Sequence, residues 1–590
     1  MSPARRQSAI MKILLVHPED DPEDGFWADR QWDRIVDLGL GGVKTYERWS
    51  QRFGCPVTTL SSINRGFDDF RVVRNLLALG CGRLVDEHGL DWWEIMSILL
   101  HGELEMLVLL RAFAQTAAND EIWISRPGLH ADLLQSLLSS SVQVFPQKQK
   151  ASRARHYLGV SRRLSVPQII DVLFDKYDSG YQVRGRIVGK RVPSSNPVVL
   201  LPTAYVNVSR TGLAYANTFP EENFLLVATR RSGWVRDLPK SVTAKWLSSY
   251  ASIHNRRSEN RQLETAWRSL RNELQAKEEF RILDCLGYLN NFSRWFRHGL
   301  EVRDAWRTVL DTEPVQAVLC ADDSNPYTRI PLLLAKAKGL PNIACHHGAL
   351  DGRYFFKRTY GDVIWAKGRM EKDYLVRRCA VPAEIVEIAA PLLPANWSAP
   401  VPPSRSDFQS YILFFSEACD GAGGRQEEFY RDVLPPLADL ARATKRKLVV
   451  KLHPAEGESE RGAMLARILG PDQKAATFLM SGPLTEELLS NAWFGITILS
   501  TVAMECAVRG IPCFLCKWLE FSRYGYVEQF IQFGVGIGLD APSEIAQIPQ
   551  YMGSRTRAAN VRENCWQAAA PGRLREFLKA PNRACATAAD

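Results

Sequence analysis

Residues 316–352 have the sequence QAVLCADDSNPYTRIPLLLAKAKGLPNIACHHGALDG, in which short apolar runs alternate with polar loops. The run Gln316–Cys320 predicts a buried strand, and the periodic apolar residues after it predict a helix over 329–338. A second run, Asn342–Cys345, predicts the next strand. Strands that alternate with helices are typical of an open parallel sheet with helices on both faces. This stretch therefore predicts an α/β fold.

The same alternation continues in both directions along the chain. Further strands are predicted at Lys12–His17, Glu121–Ser125, Val142–Phe145, Asp362–Ala366, Glu384–Ile388, Tyr411–Phe415, Lys447–Leu452, Phe494–Leu499 and Pro512–Cys516. A chain of 590 residues is too long for one hydrophobic core, because cores stop growing near ~250–300 residues. We therefore predict two Rossmann-like domains, at 11–390 and 411–560. A proline-rich linker at 391–410 joins them, and a tail at 561–590 either crosses back or is disordered.

Residues from about 150 to 310 depart from this alternation. Only Pro197–Leu201 and Phe224–Ala228 resemble strands there, so we expect a largely helical insertion in the N-terminal domain. Two interpretations of its aromatic and basic residues stay open. One is a packed aromatic core with solvated arginines, and the other is a face that meets a lipid-linked acceptor at the membrane surface. The tryptophans concerned are Trp246, Trp267, Trp295 and Trp306.

The composition, 46% hydrophobic and 24% charged, is that of an ordinary globular protein. No stretch approaches the ~20 uninterrupted apolar residues of a spanning helix, and no apolar segment precedes Met11. We expect a cytoplasmic protein without a signal peptide, with a peripheral contact at the inner membrane as an open alternative. The net charge of +9 suits an anionic partner, but we find no nucleic-acid-binding motif and expect no nucleic acid.

Ligands of open parallel sheets bind beyond the carboxyl ends of the strands, so the loops that follow strands are the candidate sites. Lys451 and His453 lie at the end of one such strand, on the same side because side chains alternate, and Pro454 fixes the direction in which the chain leaves. A histidine there can donate hydrogen bonds to a diphosphate and stabilise negative charge on a departing nucleotide. The alternative is a surface histidine at a strand end.

The loop after the strand Tyr411–Phe415 contains Glu417 and several glycines, among them Gly423, shortly before a predicted helix. Glycines let backbone amides approach phosphate oxygens, and a helix N-terminus adds a favourable dipole. The loop is therefore a candidate phosphate cradle. A plain flexible loop is equally consistent with its sequence.

A third loop follows the strand Phe494–Leu499. Ser500 and Thr501 are placed to cap the next helix, whose free amides would bind a nucleotide phosphate. Glu505, one turn further along, would hold ribose hydroxyls. The alternative is a simple N-cap with a solvated glutamate.

Together, these segments resemble the C-terminal half of bacterial surface-polysaccharide transferases. That group includes capsule Kdo transferases, bacterial polysialyltransferases and teichoic-acid glycerophosphotransferases. The resemblance covers roughly residues 316–540 and is clearest in 447–516. It implies the two-domain GT-B fold, a donor nucleotide bound by the histidine and the hydroxyl pair, and a ribose contact from the acidic helix residue. The pattern that carries it is Lys451-x-His453-Pro454 followed by Ser500-Thr501-x-x-x-Glu505-x-x-x-x-Gly510-x-Pro512.

An inverting transferase also needs a general base that takes the proton of the acceptor hydroxyl. Asp37 is a candidate, because neighbouring glycines would allow a substrate to approach closely. Other candidates lie in strand-end loops that we expect to face the same cleft. No spacing ranks them, and capping or loop-stabilising roles are the alternative for each. They are Asp322, Asp323, His346, His347 and Asp351, of which His347 and Asp351 join Asp37 and His453 as predicted catalytic residues.

The sequence thus predicts a glycosyltransferase that moves a sugar from a nucleotide-activated donor to a glycan or lipid-linked acceptor in bacterial surface polysaccharide biosynthesis. A nucleotide-sugar 2-epimerase of the same fold and an inactive nucleotide-binding scaffold are the alternatives. We expect no metal cofactor, because GT-B transferases generally lack the Asp-x-Asp metal site. The pairs Asp20-Asp21 and Asp322-Asp323 have a different pattern.

Overall fold

Three separate parallel β-sheets form the framework of the chain. A computed structural model describes residues 10–579 except for 18–19, 24–25, 39–42, 65–67, 139–141, 147–192, 252–255, 286, 349, 394–410, 418–425, 454–455, 483, 520–523 and 554–560. The predicted α/β fold with parallel sheets is confirmed, although the described residues form three sheets where the sequence indicated two.

The first sheet has five strands in the order β3-β2-β1-β4-β5. The central strands β1 and β4 are apolar runs whose side chains are buried on both faces, as expected for parallel strands covered by helices. Trp27, Trp32 and Trp49 pack in the adjoining core. The strands are β1 Lys12–Val16, β2 Arg34–Asp37, β3 Val57–Thr59, β4 Glu121–Ile124 and β5 Val142–Val144.

The second sheet has seven strands in the order β12-β11-β10-β9-β6-β7-β8. Three of them, β6 to β8, lie in the region expected to be a helical insertion. Two of the three correspond to the strands predicted at Pro197–Leu201 and Phe224–Ala228, and the other elements of this region are mainly helices. The sequence pattern does not predict β8, because β8 is an edge strand with one buried residue, Val242. The strands are β6 Val198–Thr203, β7 Phe224–Ala228, β8 Val242–Trp246, β9 Val315–Cys320, β10 Asn342–Ala344, β11 Val363–Ala366 and β12 Val386–Ile388.

The third sheet has six strands in the order β15-β14-β13-β16-β17-β18. Gly495 in β16 allows close packing against β13, because a Cβ atom at this position would lie 2.7 Å from Cε2 of Phe415. The strands are β13 Tyr411–Phe415, β14 Lys447–Lys451, β15 Thr477–Met480, β16 Ala492–Thr497, β17 Cys513–Cys516 and β18 Ile537–Leu539.

Helices connect the strands and cover the faces of the sheets. Those that begin before residue 370 are α1 Val43–Phe53, α2 Leu60–Ile63, α3 Asp69–Ala78, α4 Trp92–Ser97, α5 His101–Thr116, α6 Leu129–Leu138, α7 Val206–Thr218, α8 Arg257–Leu274, α9 Glu278–Cys285, α10 Asn290–Thr312, α11 Pro326–Ala337 and α12 Arg369–Asp373. Those that begin later are α13 Gln426–Ala443, α14 Glu458–Ile468, α15 Pro471–Ala475, α16 Glu486–Ser490, α17 Val502–Arg509, α18 Tyr526–Gln532, α19 Ile548–Gly553, α20 Val561–Cys565 and α21 Arg573–Lys579.

The chain divides into two units, each assembled from distant segments. One unit takes its described residues from 1–69, 106–148 and 394–565, and contains the first and third sheets. Within it, the backbone N–H of Val43 at the start of α1 donates a hydrogen bond to Oδ2 of the buried Asp432 on α13, at 2.7 Å. This bond joins two parts of the chain that lie 389 positions apart.

The other unit takes its described residues from 70–105, 149–393 and 566–590, and contains the second sheet. The chain returns to this sheet after α20, where Ala568 forms a β-bridge with Ala390. The indole N–H of Trp566 donates to the carbonyl of Pro391 at 2.7 Å, and Leu574 of α21 is fully buried in the core. Most of the predicted proline-rich linker, 394–410, lies outside the described residues.

Helices α8 to α10 enclose aromatic and charged side chains. Trp267 and Trp306 are buried, which matches the packed-core interpretation for these two residues. The guanidinium of Arg303 is 1% exposed and bonds to Asp86 at 2.8 Å and to Asp304 at 2.7 Å. Across the part of the chain that the structure describes, no helix is long and apolar enough to span a membrane. Contact with a membrane surface stays a prediction.

Candidate functional site

Each sheet has a point where its strand order reverses, and ligands of open α/β sheets bind at such points. The reversals fall between β1 and β4, between β6 and β9, and between β13 and β16. At all three, a polar residue following one strand is hydrogen-bonded to a residue following the other. The pairs are His17–Ser125 in the first sheet, Tyr205–Asp322 in the second and Glu417–Leu499 in the third.

In the third sheet, Glu417 connects the end of β13 to the end of β16. Its Oε1 accepts hydrogen bonds from the hydroxyl of Thr497 at 2.7 Å and from the backbone N–H of Leu499 at 2.8 Å. Burial raises the pKa of Glu417, and these donors partly offset the increase. With its carboxylate engaged by β16, Glu417 holds the loop that leads to Ser500 in place. The choice between a phosphate cradle and a plain flexible loop stays open, because residues 418–425 lie outside the described residues.

The loop after β14 is fixed through Glu456, which the sequence analysis missed. The backbone N–H of His453 donates to Oε2 of Glu456 at 2.8 Å. The other carboxylate oxygen accepts from Ser416 and from Nε of Arg461, both at 2.8 Å, and the glutamate side chain is fully buried. His453 is half-buried on a backbone held in one position. The sequence signal that could have identified Glu456 is its position three residues after a histidine at a strand end.

Lys451 makes a local contact at the end of β14, and its predicted binding to the nucleotide stays a prediction. Its residue is 7% exposed, and Nζ donates to the carbonyl of Leu452 at 2.6 Å. The ammonium group therefore lies at the end of β14, where it stabilises the turn of the chain away from the sheet. Two further predicted positions, Gly423 and Pro454, lie outside the described residues.

Ser500 and Thr501 precede α17, as predicted. Thr501 is the N-cap residue, but its hydroxyl makes no capping hydrogen bond, while the Ser500 hydroxyl is 3.4 Å from the backbone nitrogen of Val502. The expected hydroxyl cap is thus weak at Ser500 and not formed by Thr501. Glu505 is half-buried in the first turn of α17. The backbone N–H groups of Ala503 and Met504 already donate to the carbonyls of Ser500 and Thr501, at 3.0 and 2.9 Å.

The second sheet brings several predicted residues together at one edge. Asp322, directly after β9, accepts hydrogen bonds from the hydroxyl of Tyr205 and from the backbone N–H of Ser324. The ring of His347 meets the ring of Tyr205 edge-on, with the tyrosine oxygen 3.4 Å from Nδ1. Tyr205 follows β6 and could have been found by the strand-end rule that found Asp322.

The buried side chains of Lys367 and Glu371 hold the loop that carries the two histidines after β10. The Nζ of Lys367 donates to the backbone carbonyls of His346 and Gly348. The side chain of Glu371 accepts from the backbone N–H of Lys367 at 2.5 Å. Burial raises the pKa of Glu371 to about 7, although Lys367 opposes the increase. The loop geometry is therefore set by buried charges beneath it.

Asp351 is buried in an ion cluster, and its predicted catalytic role stays a prediction. Its Oδ1 accepts from Nε of Arg353 at 3.2 Å, and its Oδ2 accepts from the hydroxyl of Ser324 and lies 3.4 Å from Nζ of Lys357. Burial favours the neutral acid, but Lys357 and other cationic groups hold the pKa of Asp351 well below its usual range. The same lysine bonds to Asp323 at 2.6 Å. These contacts are those of a structural ion pair.

Asp37 lies on a different sheet from the other predicted base candidates. It ends β2 of the first sheet, is 1% exposed and accepts a hydrogen bond from Tyr46 at 3.0 Å. The candidates at 322–351 all follow strands of the second sheet, and the common cleft expected for them and Asp37 stays a prediction. The glycines expected beside it, within 39–42, lie outside the described residues.

Among the described residues, one group has the composition of a metal site. A carboxylate oxygen of Asp322 and one ring nitrogen from each of His346 and His347 all lie within 4.8 Å of one another. However, Nδ1 of His346 already accepts a hydrogen bond from the backbone N–H of Gly348 at 3.1 Å. A neutral imidazole with an occupied Nδ1 lone pair carries its proton on Nε2, so neither nitrogen offers a lone pair to a metal.

No protein-family model matches the sequence, and no curated protein matches it. Solved structures of similar shape include a UDP-GlcNAc 2-epimerase from Methanocaldococcus jannaschii, with 10% identity over 64% of this chain and 99% of that one, at a TM-score of 0.39. The calicheamicin glycosyltransferase CalG4 has 14% identity over 65% and 98%, at 0.39. The wall teichoic acid polymerase TagF has 9% identity over 72% and 97%, at 0.37. At such scores, the function proposed below rests on the side chains of this chain alone.

Proposed function

We propose that the protein is a glycosyltransferase that moves a sugar from a nucleotide-activated donor to a hydroxyl group of a glycan or lipid-linked acceptor. The observation that carries the proposal is the meeting of three predicted nucleotide-binding segments on adjacent strands. They follow β14, β13 and β16, which are neighbours in the third sheet at its point of reversal. Glu417 and Glu456 hold them in fixed positions.

The donor nucleotide is assigned to this edge of the third sheet. His453 would donate a hydrogen bond to the diphosphate, and the positive end of the α17 dipole would face a phosphate oxygen. Glu505 would accept hydrogen bonds from the ribose. Donors already fixed in position stabilise charge that develops on the leaving phosphate without reorganising during the reaction.

The acceptor half of the reaction is assigned to the edge of the second sheet, where His347 lies beside Tyr205 and Asp322. In the transfer, the acceptor oxygen forms a bond to the anomeric carbon, and the bond from that carbon to the phosphate oxygen breaks. The electron pair leaves with the nucleotide, and the hydroxyl proton passes to a base. Burial lowers the pKa of His347, so the ring is neutral and able to accept that proton.

A thermal-shift screen with CMP, CDP, UDP, GDP and dTDP tests the donor site. A nucleotide that binds only the folded protein raises the melting temperature, and at a hundredfold excess over its dissociation constant it adds about 2.7 kcal/mol of stability. His453→Ala should abolish most of that gain, while His88→Ala, in the other unit, should not. Equal gains in the wild type and His453→Ala would contradict the proposal. So would conversion of a nucleotide sugar to its 2-epimer with no acceptor present.

A further inference from the structure

The imidazole of His346 is a hydrogen-bond donor without an acceptor. The residue is 8% exposed, and its Nδ1 accepts from the backbone N–H of Gly348. Burial, with His347 close by, holds the pKa of His346 well below that of an ordinary histidine, so the ring is neutral and its proton is on Nε2. This buried Nε2 has no hydrogen-bond partner among the described residues. Oδ2 of Asp351, at 3.9 Å, is beyond hydrogen-bonding distance.

Asp322, His346 and His347 lie close enough together to contact one oxygen atom. Three atoms that lie within 4.8 Å of one another share a point no more than about 2.8 Å (4.8/√3) from each, and Asp322, His346 and His347 supply three such atoms. About 2.8 Å is the length of a hydrogen bond to an oxygen atom.

The chemistry of the three groups selects a hydroxyl oxygen in preference to an anion. A hydroxyl group can accept from the N–H of His346 and donate its own hydrogen to a neighbouring lone pair. Asp322 supplies a carboxylate, which would repel a phosphate or carboxylate oxygen at that distance. Tyr205 and Ser324 donate to Asp322, so its charge is stabilised where it stands.

We propose that Asp322, His346 and His347 bind one hydroxyl group of the acceptor, and that the two adjacent histidines have opposite roles. His346 donates through Nε2 to the acceptor oxygen and orients its lone pair, while His347 takes the hydroxyl proton. The ring centroids of the two histidines are 4.4 Å apart, so one small group can reach both. This inference rests on the proposed function, because it names the residues that hold the acceptor of that reaction.

The tautomer of His346 can be measured on the full-length protein without a substrate. Long-range nitrogen–proton NMR of protein labelled with 15N-histidine distinguishes a proton on Nε2 from one on Nδ1. The signals missing from His346→Gln identify this residue among the ten histidines. We expect a proton on Nε2 and no titration between pH 6 and pH 8. A proton on Nδ1, or titration within that range, overturns the inference.

Hydrolysis of a nucleotide sugar, in which water replaces the acceptor hydroxyl group, provides a functional test. UDP-N-acetylglucosamine, UDP-glucose, GDP-mannose, dTDP-glucose and CMP-N-acetylneuraminate are each incubated with the protein, and released nucleotide is measured beside nucleotide affinity by calorimetry. His346→Phe removes the donor and should slow release about tenfold or more, with affinity unchanged within about twofold. His346→Gln keeps an N–H group at similar reach and should recover most of the rate. His88→Phe is the matched control.

The outcomes separate the two proposals. If the wild type releases nucleotide and His346→Phe releases it equally fast, the hydroxyl site is wrong and the proposed function stands. If the wild type neither binds nor consumes any of the nucleotide sugars, the proposed function is wrong. Calorimetry with zinc chloride alone completes the test, because tight zinc binding that disappears in His346→Gln would make the cluster a metal site and overturn the hydroxyl assignment.

Discussion

The carboxylate of Glu456 holds the backbone of His453 through a hydrogen bond of 2.8 Å from the histidine N–H. Its other oxygen is shared by Ser416 and Arg461, so one buried side chain connects β13, β14 and α14. The position of the histidine is thus determined by the third sheet as a whole.

Glu456→Gln should lower the melting temperature and weaken nucleotide binding together. The amide group would turn a donor toward the N–H of His453 or toward Arg461, each of which can only donate. Leaving such a buried group unsatisfied costs about 1–3 kcal/mol. Thermal melts with and without the nucleotide found in the screen would measure both effects. Glu460→Gln, on the exposed face of α14, is the control and should behave like the wild type.

Asp351→Asn should act mainly on stability. It removes the charge that faces Arg353 and Lys357 in a buried cluster, and breaking a buried ion pair costs about 3–5 kcal/mol. We expect the loss of stability to lie near the lower end of this range, because Lys357 still has an ion-pair partner in Asp323, 2.6 Å away. Denaturant unfolding would measure it. Asp373→Asn is the control, since its partner Arg377 is 77% exposed. An Asp351→Asn protein with wild-type stability and no activity would instead support the catalytic role expected from the sequence.

Glu371 should give the protein a component of stability that falls as pH rises. Its pKa is about 7 in the folded state and 4.5 as an ordinary glutamate, so between these values the folded state binds more protons than the unfolded state. Stability then decreases with pH across this window, by about 3 kcal/mol in total, and this component is constant above it. Relative to Glu371→Gln, the wild type should lose stability from pH 5 to pH 7. Denaturant melts at several pH values would show it, with the exposed Glu384→Gln as control.

Gly495→Ala should destabilise the third sheet. The new methyl group would meet Cε2 of Phe415 at 2.7 Å and Sγ of Cys506 at 3.3 Å, inside a closely packed region. Overpacking of this kind costs about 1–3 kcal/mol. Gly462→Ala on α14 is the matched control, because its methyl group would lie 3.8 Å from Leu479 and the helix should gain up to about 1 kcal/mol. Equal melting temperatures for the two variants would contradict this prediction.

The sequence predicted the strands that carry the candidate site, because buried parallel strands are apolar runs that end in polar residues. Asp322, His347 and His453 were found in this way. The division into three sheets could not be predicted, since strands such as β5 and β6 have the same local pattern whether or not they pair. The edge strand β8 was missed because it buries one residue.

The state of individual side chains was the least predictable part of the site. Asp351 has the sequence context of a catalytic loop residue, and only the fold brings Lys357 and Ser324 against it. Likewise, the donor character of His346 depends on the backbone N–H of Gly348, two residues away, which no spacing rule anticipates. The chemical role of such residues is determined by partners that folding supplies.

The return of the chain to the second sheet after Cys565 has a consequence for the order of synthesis. Ala568 and Leu574, which complete the core beside Ala390, leave the ribosome after every described strand of all three sheets has been made. The seven-stranded sheet is therefore exposed along one part of its core throughout translation, whereas the third sheet can close earlier. A premature stop just after Cys565 would leave each described strand intact and yet release a protein whose second sheet is unfinished.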